Sequence, residues 1–493
     1  MSVLSVPSLA RMNANINTII KKIQDFIVWT AFAIFTSCPL VLLSQSVENG
    51  NITHNEAEVL SSFLKIRSVQ GQEGAAGRFL SGLCSEKGLN VKVFSDIDSS
   101  FNFSASLYPL SSNKPNIILL NHLDVVPADD SSEWKFPPFS GTVYNNKVWG
   151  RGAIDCKGLA IMQLIALASF VDSAKKIDLP YNVTMLSVSG EETNPENGVG
   201  MIVSKFFNEL NPVVVFGEGG SGLTNIISSD TSIIIFGISV AEKRSLWLKL
   251  DVYSESFSHG SMSSDLYANK KLLRTLIKLM DEKKYVKFND VLRNMFFLLG
   301  TLEGGIKGFF IKRINWDIFW PIVQRKFNEG EPLHLLVYNT FTITNISNPK
   351  VPSNQIADHA TAILDCRLLP GTDTAKFLKK IKNTVGPKVK ITVLSSSPDA
   401  LESPQDSFYV CMENVLKEKF PDCEVIPVLF PATTDNNYFR NKGVGAYGIM
   451  PALLSMESIQ SVHNKDENLS IDQLNKGIEV FRGFISKINA MKK

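Results

Sequence analysis

The heptapeptide NIILLNH at 116–122 is an apolar run that ends in a histidine, and it restricts the fold more than any other stretch of the chain. Its consecutive IILL leaves no side for solvent. Such a run marks a strand covered on both faces, and therefore a largely parallel sheet between layers of helices. The surrounding pattern agrees. Helical spacing over 55–68 and a strand at 91–94 (VKVF) precede it, and a helix at 156–175, a strand at 182–189 (NVTMLSVS), a helix near 198–209 and a strand at 213–216 (VVVF) follow. Strand and helix alternate, so the expected class is α/β, with ligands held at the carboxyl ends of the strands.

Acids and histidines collect at those ends. His122 and Asp124 leave the first strand, Asp155 stands just before a helix, Glu191 and Glu192 close the strand at 182–189, and Glu218 follows VVVF. His463, in QSVHNKDEN, is the remaining ligand-type residue. Two imidazoles and several carboxylates suit zinc, and one carboxylate shared by two ions about 3.5–4 Å apart is the usual core of a two-metal hydrolase. Adjacent glutamates at a strand end point in different directions, so one can ligate while its neighbour handles a proton. The His-x-Asp spacing fits a carboxylate that orients a ligating imidazole. Only six histidines occur, and His54, His334 and His359 lack any comparable context. Gly150, Gly152 and Gly158 form no phosphate-binding fingerprint.

After Glu242 the texture changes. SLWLKLDVYS and ATAILDCR alternate as half-exposed strands do, with a helical stretch at 266–282 between them. The expected organisation is an N-terminal segment (1–46), an α/β unit split between 47–242 and 393–493, and an inserted α+β domain at 243–392, with the α/β pattern resuming at VKITVL. The aromatic stretch at 295–321 within the insertion suits ordinary core packing first, and an acyl-chain pocket or a membrane contact second.

In this order, HLDVVP, WKFPPFSG, VWGRGAIDCKG, SGEE and EGG resemble the dinuclear zinc hydrolases that include aminoacylase, carboxypeptidase S, glutamate carboxypeptidase and succinyl-diaminopimelate desuccinylase. The chain is most similar to the carboxypeptidase S and secreted N-acyl-amino-acid hydrolase branch. The resemblance implies that the split unit is catalytic, that the insertion is a lid or dimerisation domain, and that each subunit holds two Zn²⁺. Asp155 would bridge them, His122 and Glu218 would complete one site, and Glu192 and His463 the other. Asp124 would orient His122, and Glu191 would activate the bridging water and then protonate the leaving amine. In the lid, EKRSLWLKL and SHGSM imply that His259 stabilises an oxyanion in a partner subunit, and Asn354 and Arg367 imply contacts to substrate oxygens and a free carboxylate. The implied protein is a homodimer that hydrolyses the amide bond of an N-acyl amino acid or short peptide. A carboxypeptidase S-type peptidase is the alternative enzyme, and a catalytically silent metal-binding homologue the alternative outside enzymes. Two departures stand out: NKDEN replaces the usual Gly-rich stretch after the last histidine, and Ala357 replaces a proline. Cys156 is expected to be an inert buried thiol, and Thr434 and Asp435 to support the site without ligating.

Charge speaks to the compartment. Lys and Arg total 50 against 48 Asp and Glu, and Arg11, Lys21 and Lys22 against Asp25 account for the whole excess, leaving 47 of each over 47–493. That balance gives no footprint for nucleic acid. Lys21 and Lys22 precede FIVWTAFAIFTSCPLVLL (26–43), which is 18 residues without a charge. It is longer than the roughly 7–15 residues of a cleaved signal's apolar core and at the lower end of the about 17–25 of a spanning helix. Either a signal-anchor or a signal peptide fits, placing the catalytic part outside the cytosol, membrane-anchored or secreted, periplasmic or vacuolar-lumenal. Five cysteines follow Cys38, an odd number without a disulfide framework, and Asn51, Asn102, Asn182, Asn345 and Asn468 begin glycosylation triplets.

Overall fold

In the folded chain NIILLNH is buried on both sides, with Ile117 and Leu119 entering one hydrophobic cluster and Ile118 and Leu120 another. A computed structural model describes residues 55–128, 130–254, 260–262, 267–282, 286–316, 334–349, 353–399 and 401–491. The apolar segment at 26–43, His54 and His259 lie outside the described residues. Fifteen strands run along the described chain: β1 Asn90–Ile97, β2 Ser100–Ser106, β3 Asn116–His122, β4 Thr142–Tyr144, β5 Lys147–Trp149, β6 Asn182–Val188, β7 Pro212–Leu223, β8 Ile234–Glu242, β9 Arg244–Tyr253, β10 Thr340–Ser347, β11 His359–Leu368, β12 Val389–Ser396, β13 Cys423–Phe430, β14 Gly445–Leu453 and β15 Asn468–Ser470. Eight form the main sheet in the order β1, β2, β6, β3, β7, β14, β8, β13. The β6, β3, β7 and β14 neighbours pair in parallel, as do β8 and β13, while β1 and β2 run antiparallel at one edge. The chain is thus a mixed α/β fold with helices on both faces of a large sheet.

Helix Lys157–Ala168 is apolar all round and buried from Lys157 to Leu167, which is the composition of a core helix. Among the described residues, Lys157–Lys176 is the one helical stretch long and apolar enough to cross a membrane, and most of it is packed inside the protein. Its single charge is neutralised by backbone. Lys157 Nζ donates to the carbonyls of Phe63 (3.1 Å) and Ile66 (2.6 Å), at and just past the end of helix Asn55–Leu64.

A second sheet, entirely antiparallel, has the order β10, β11, β9, β12. Leu246, Leu248, Leu250 and Val252 point from β9 to one side, where they meet Leu272, Leu276 and Leu279 of helix Ala268–Met280 and Ile381 and Val385 of helix Thr374–Val385. This core is separate from that of the main sheet. The segment VKITVL, expected to return to the catalytic unit, instead begins β12 and pairs with β9, so the expected boundary after residue 392 falls inside a strand. Helix Asp290–Glu303 also departs from the expected division, because Val291, Leu292, Met295 and Phe296 join the main core. The outer side of this region leaves Phe297, Phe309 and Trp316 about half exposed.

β2 escaped sequence reading because SFNFSAS is half polar, yet all seven residues are buried. Its polar groups are largely consumed locally: Asn102 Nδ2 donates to Ser95 and Ser100, and its Oδ1 accepts from the Ser189 N–H. Asn102, Asn182 and Asn468 are buried, so of the glycosylation triplets within the described residues only that of Asn345 is exposed. The five cysteines after Cys38 are all buried free thiols.

Gly77 tests the packing under β2. An added Cβ would fall 2.2 Å from the buried Phe101 ring. Overpacking costs about 1–3 kcal/mol, against roughly 0.5–1 kcal/mol gained by alanine in a helix, so Gly77→Ala should lower the urea midpoint with an unchanged slope. An unaltered midpoint would contradict the described contact.

Candidate metal centre

Each candidate donor arrives on a different piece of chain. His122 is the last residue of β3, and Asp155 ends the irregular turn between β5 and helix Lys157–Ala168. Glu191 and Glu192 follow β6. Glu218 lies within β7, which continues to Leu223 beyond the expected strand end. His463 follows helix Met456–Ser461 with φ of 59°, a left-handed conformation that non-glycine residues rarely adopt.

The fold brings the five candidate ligands into two groups that share one carboxylate. Asp155 Oδ1 lies 2.9 Å from His122 Nε2, and Oδ2 lies 3.1 Å from His463 Nε2. Glu218 stands 3.3 Å from the first imidazole, and Glu192 stands 3.0 Å from the second. The Asp155–Cys156 peptide is cis. Cys156 Sγ belongs to the same donor cluster, but burial raises its thiol pKa, and a protonated thiol is a poor ligand.

Asp124 works differently from the sequence expectation. His122 Nδ1–H donates to the main-chain carbonyl of Asp124 at 2.9 Å, while the nearer carboxylate oxygen is 3.8 Å away. A carbonyl only accepts, so Nδ1 carries the proton of neutral His122 and Nε2 presents its lone pair to the site. The Asp124 carboxylate is used instead on the neighbouring strand end, where it accepts the N–H groups of Gly190 (2.8 Å), Glu191 (3.2 Å) and Glu192 (3.0 Å). Three charge-assisted hydrogen bonds thereby fix the turn carrying both glutamates. The reason is local: two residues past His122 the chain has already turned beneath the β6 end, within reach of its free amides.

Burial governs the electrostatics, and crowding of like charges adds to it. Burial pushes the Glu191 carboxyl well above its usual range, and the Glu218 charge adds to the effect. Burial, with Asp155, raises Glu218 to about 7. Asp435 is raised by the same desolvation, and its Oδ2 has no hydrogen-bond partner among the described residues. Asp155 moves the other way, because hydrogen bonds from His122 and His463 outweigh its burial. The half-exposed His463 is lifted to about 10 by its bonds to Asp155 and Glu192. Carboxylates so placed need compensating positive charge, and either protonated imidazoles or divalent cations supply it. Two imidazole nitrogens, three carboxylates around a shared aspartate and an orphaned buried carboxylate oxygen fit a pair of zinc-type ions.

Supporting residues that sequence reasoning missed are acceptors and donors for backbone. Glu242 accepts from the Thr434 N–H (3.0 Å) and hydroxyl (2.8 Å) and from Arg440 Nη1 (2.7 Å), which steadies the turn bearing Asp435. Asn436 Nδ2 donates to the Glu218 carbonyl at 2.9 Å. Glu467, four residues past His463, lies buried beside the Asp155 turn. No motif marks these roles.

On the second sheet, Arg367 is paired through Nε and Nη2 with Asp365, both at 2.9 Å, and its Nη1 reaches Thr433 at 3.3 Å. Asn354 is exposed, and its carbonyl accepts the Gly260 N–H at 2.8 Å, which ties the SHGSM segment to the VPSNQIA turn. His359 stacks on Tyr253 and bonds Asp251 at 2.8 Å, a structural use.

Residues 118–487 match the family model described as Peptidase family M20/M25/M40. A probable carboxypeptidase S-like 2 from Dictyostelium discoideum is 25% identical over 401 residues, covering 80% of this chain and 75% of that protein. The N-fatty-acyl-amino acid synthase/hydrolase PM20D1 of Mus musculus is 25% identical over 416 residues, covering 78% and 77%. Among solved structures, the M20 family metallo-carboxypeptidase Sso-CP2 from Sulfolobus solfataricus shares the fold with a TM-score of 0.65 at 21% identity, covering 89% of this chain and all of that one. With a match spanning the sheet from β3 to the last helix and every candidate donor, the chain belongs to peptidase family M20/M25/M40 and is a hydrolase of that family.

Proposed function

We propose that the protein is a two-zinc amidohydrolase that cleaves the amide bond of an N-acyl amino acid or short peptide with a free carboxylate. The observation that carries the reading is Asp155, whose two oxygens face His122 on one side and His463 on the other. His122, Asp155 and Glu218 would hold one ion, and Asp155, Glu192 and His463 the second. When bound, such ions polarise the amide carbonyl and acidify water. Glu191 takes a proton from the attacking water, whose oxygen bonds to the carbonyl carbon. It returns that proton to nitrogen as the C–N bond breaks, leaving a carboxylic acid and an amine. Its elevated proton affinity suits a group that must both accept and donate.

Arg367 recognises the substrate carboxylate by exchanging Asp365 for it, a planar match the guanidinium makes well. Asn354 and His259 of the partner subunit contact substrate oxygens, which makes the working unit a homodimer. The carboxypeptidase S-like relative supports peptides as the second substrate reading, with the same residues in the same roles. The apolar segment at 26–43 supports export, anchored or released.

Glu191→Gln should lower kcat by about 10²–10⁴ on a panel of acyl-amino acids and dipeptides while zinc content stays at the wild-type level. Retained activity, or a metal-replete wild-type chain inert across the panel, would overturn the mechanism. Arg367→Met should raise KM for substrates with a free carboxylate and leave their C-terminal amides unaffected. Equal effects on both would remove Arg367 from carboxylate recognition.

A further inference from the structure

We propose that Glu467 is a positioning residue that holds Asp155 and His463 at their working separation before any ion arrives; the inference rests on the two-ion reading above. Glu467 is 1% exposed, and each carboxylate oxygen serves two donors. Oε1 accepts the N–H groups of Ile154 (2.9 Å) and Asp155 (3.1 Å), and Oε2 accepts the Gly152 N–H (2.9 Å) and Arg151 Nη1 (2.9 Å). The peptide that carries the shared aspartate is therefore held by this carboxylate directly, and the turn before it at two further points.

The backbone of the same residue belongs to the other half of the site. Glu467 lies in the segment that begins at His463, and its carbonyl accepts the Gly150 N–H at 2.9 Å. β15 starts at the next residue and pairs Asn468 with Trp149 of β5. Asp466, at φ of 63°, uses its carboxylate to accept the Lys135 N–H at 2.7 Å. Here aspartate does what glycine does where the backbone turns left-handed, since a short polar side chain that bonds locally tolerates that conformation. The replacement of a Gly-rich stretch by NKDEN thus keeps the turn and adds a tether to a third loop.

Four donors on two oxygens require a carboxylate. A glutamine at 467 would direct its NH₂ either at Gly152 and Arg151 or at Ile154 and Asp155, and neither pair can accept a hydrogen bond. Simple occupancy of a polar cavity would tolerate the amide far better. Glu467 makes none of the contacts of a metal donor in the described structure, since its oxygens are spent on these four groups. It acts through Asp155 and His463.

The test uses the full chain, stripped of metal and titrated with zinc against a chelator of known affinity, in wild type, Glu467→Gln and Glu467→Asp. Loss of an outer-shell partner costs about 10–100-fold in metal affinity. Glu467→Gln should weaken the second zinc by that factor and lower kcat, with substrate KM within about twofold of wild type. Glu467→Asp, which keeps the charge, should fall between the two. Amide hydrogen exchange on the metal-free wild-type chain provides a readout that needs no variant: Gly152, Ile154 and Asp155 should already be protected before zinc is added. Wild-type zinc affinity in Glu467→Gln, or unprotected amides in the metal-free chain, would overturn the proposal. A wild-type chain that takes up no zinc would instead remove the two-ion reading itself.

Discussion

Mutual repulsion among buried carboxylates is the constraint around which the catalytic unit is built. Asp155, Glu191, Glu192, Glu218 and Asp435 gather within the reach of two imidazoles. A pair of such charges 4 Å apart repels by roughly 4 kcal/mol at an effective dielectric constant of about 20. The loops at the carboxyl edge of the sheet hold these acids in place by turning their backbone N–H groups toward two further buried carboxylates rather than toward a neighbouring strand. Asp124 collects three of them from the Gly190–Glu192 turn, and Glu467 three more from Gly152–Asp155. Irregular backbone at this edge is the form taken by charge stabilisation.

The strip of chain joining the two sheets obeys the same logic. β8 passes into β9 through Lys243 alone, and three consecutive charged residues there face three different partners. Glu242 reaches back to Arg440 and Thr434 in the catalytic unit. Lys243 Nζ donates to the carbonyls of Leu335 and Tyr338, both at 2.7 Å. Arg244 donates to Thr372 and Thr374. Thr433, which meets Arg367 from the second sheet and donates to the Lys243 carbonyl, stands two residues from Asp435. The second sheet and the acid-bearing turn are therefore secured by one short crossover.

Much of this was legible in the sequence. NIILLNH announced a doubly covered strand, and His122, Glu192 and Glu218 were visible because each sits at or near the end of an apolar strand, where a charged residue is conspicuous, while Asp155 and His463 stood out through the VWGRGAIDCKG motif and the scarcity of histidine. Asp124 was seen but given the wrong acceptor, since His-x-Asp spacing does not tell whether the carbonyl or the carboxylate meets the imidazole. Glu467 and Glu242 were passed over because their partners are backbone amides or residues 192 to 316 positions away, and such pairing leaves no pattern. β2 hid behind polar residues, Ser100 and Ser106 among them, whose hydroxyls donate to backbone carbonyls, and β12 read as part of the larger sheet because an amphipathic strand is silent about which sheet it joins.

The 312 positions between Asp155 and Glu467 give the site a history as well as a geometry. At about 5–20 residues per second of synthesis, roughly 15–60 s separate the emergence of the aspartate from that of its clamp. Through most of that interval, once Glu218 has been made, the growing chain holds His122, Asp155, Glu192 and Glu218 without His463, a nitrogen-poor and incompletely oriented half-site. The full donor cluster with its clamp is in this way completed only after translation has reached β15, a late event set by chain order.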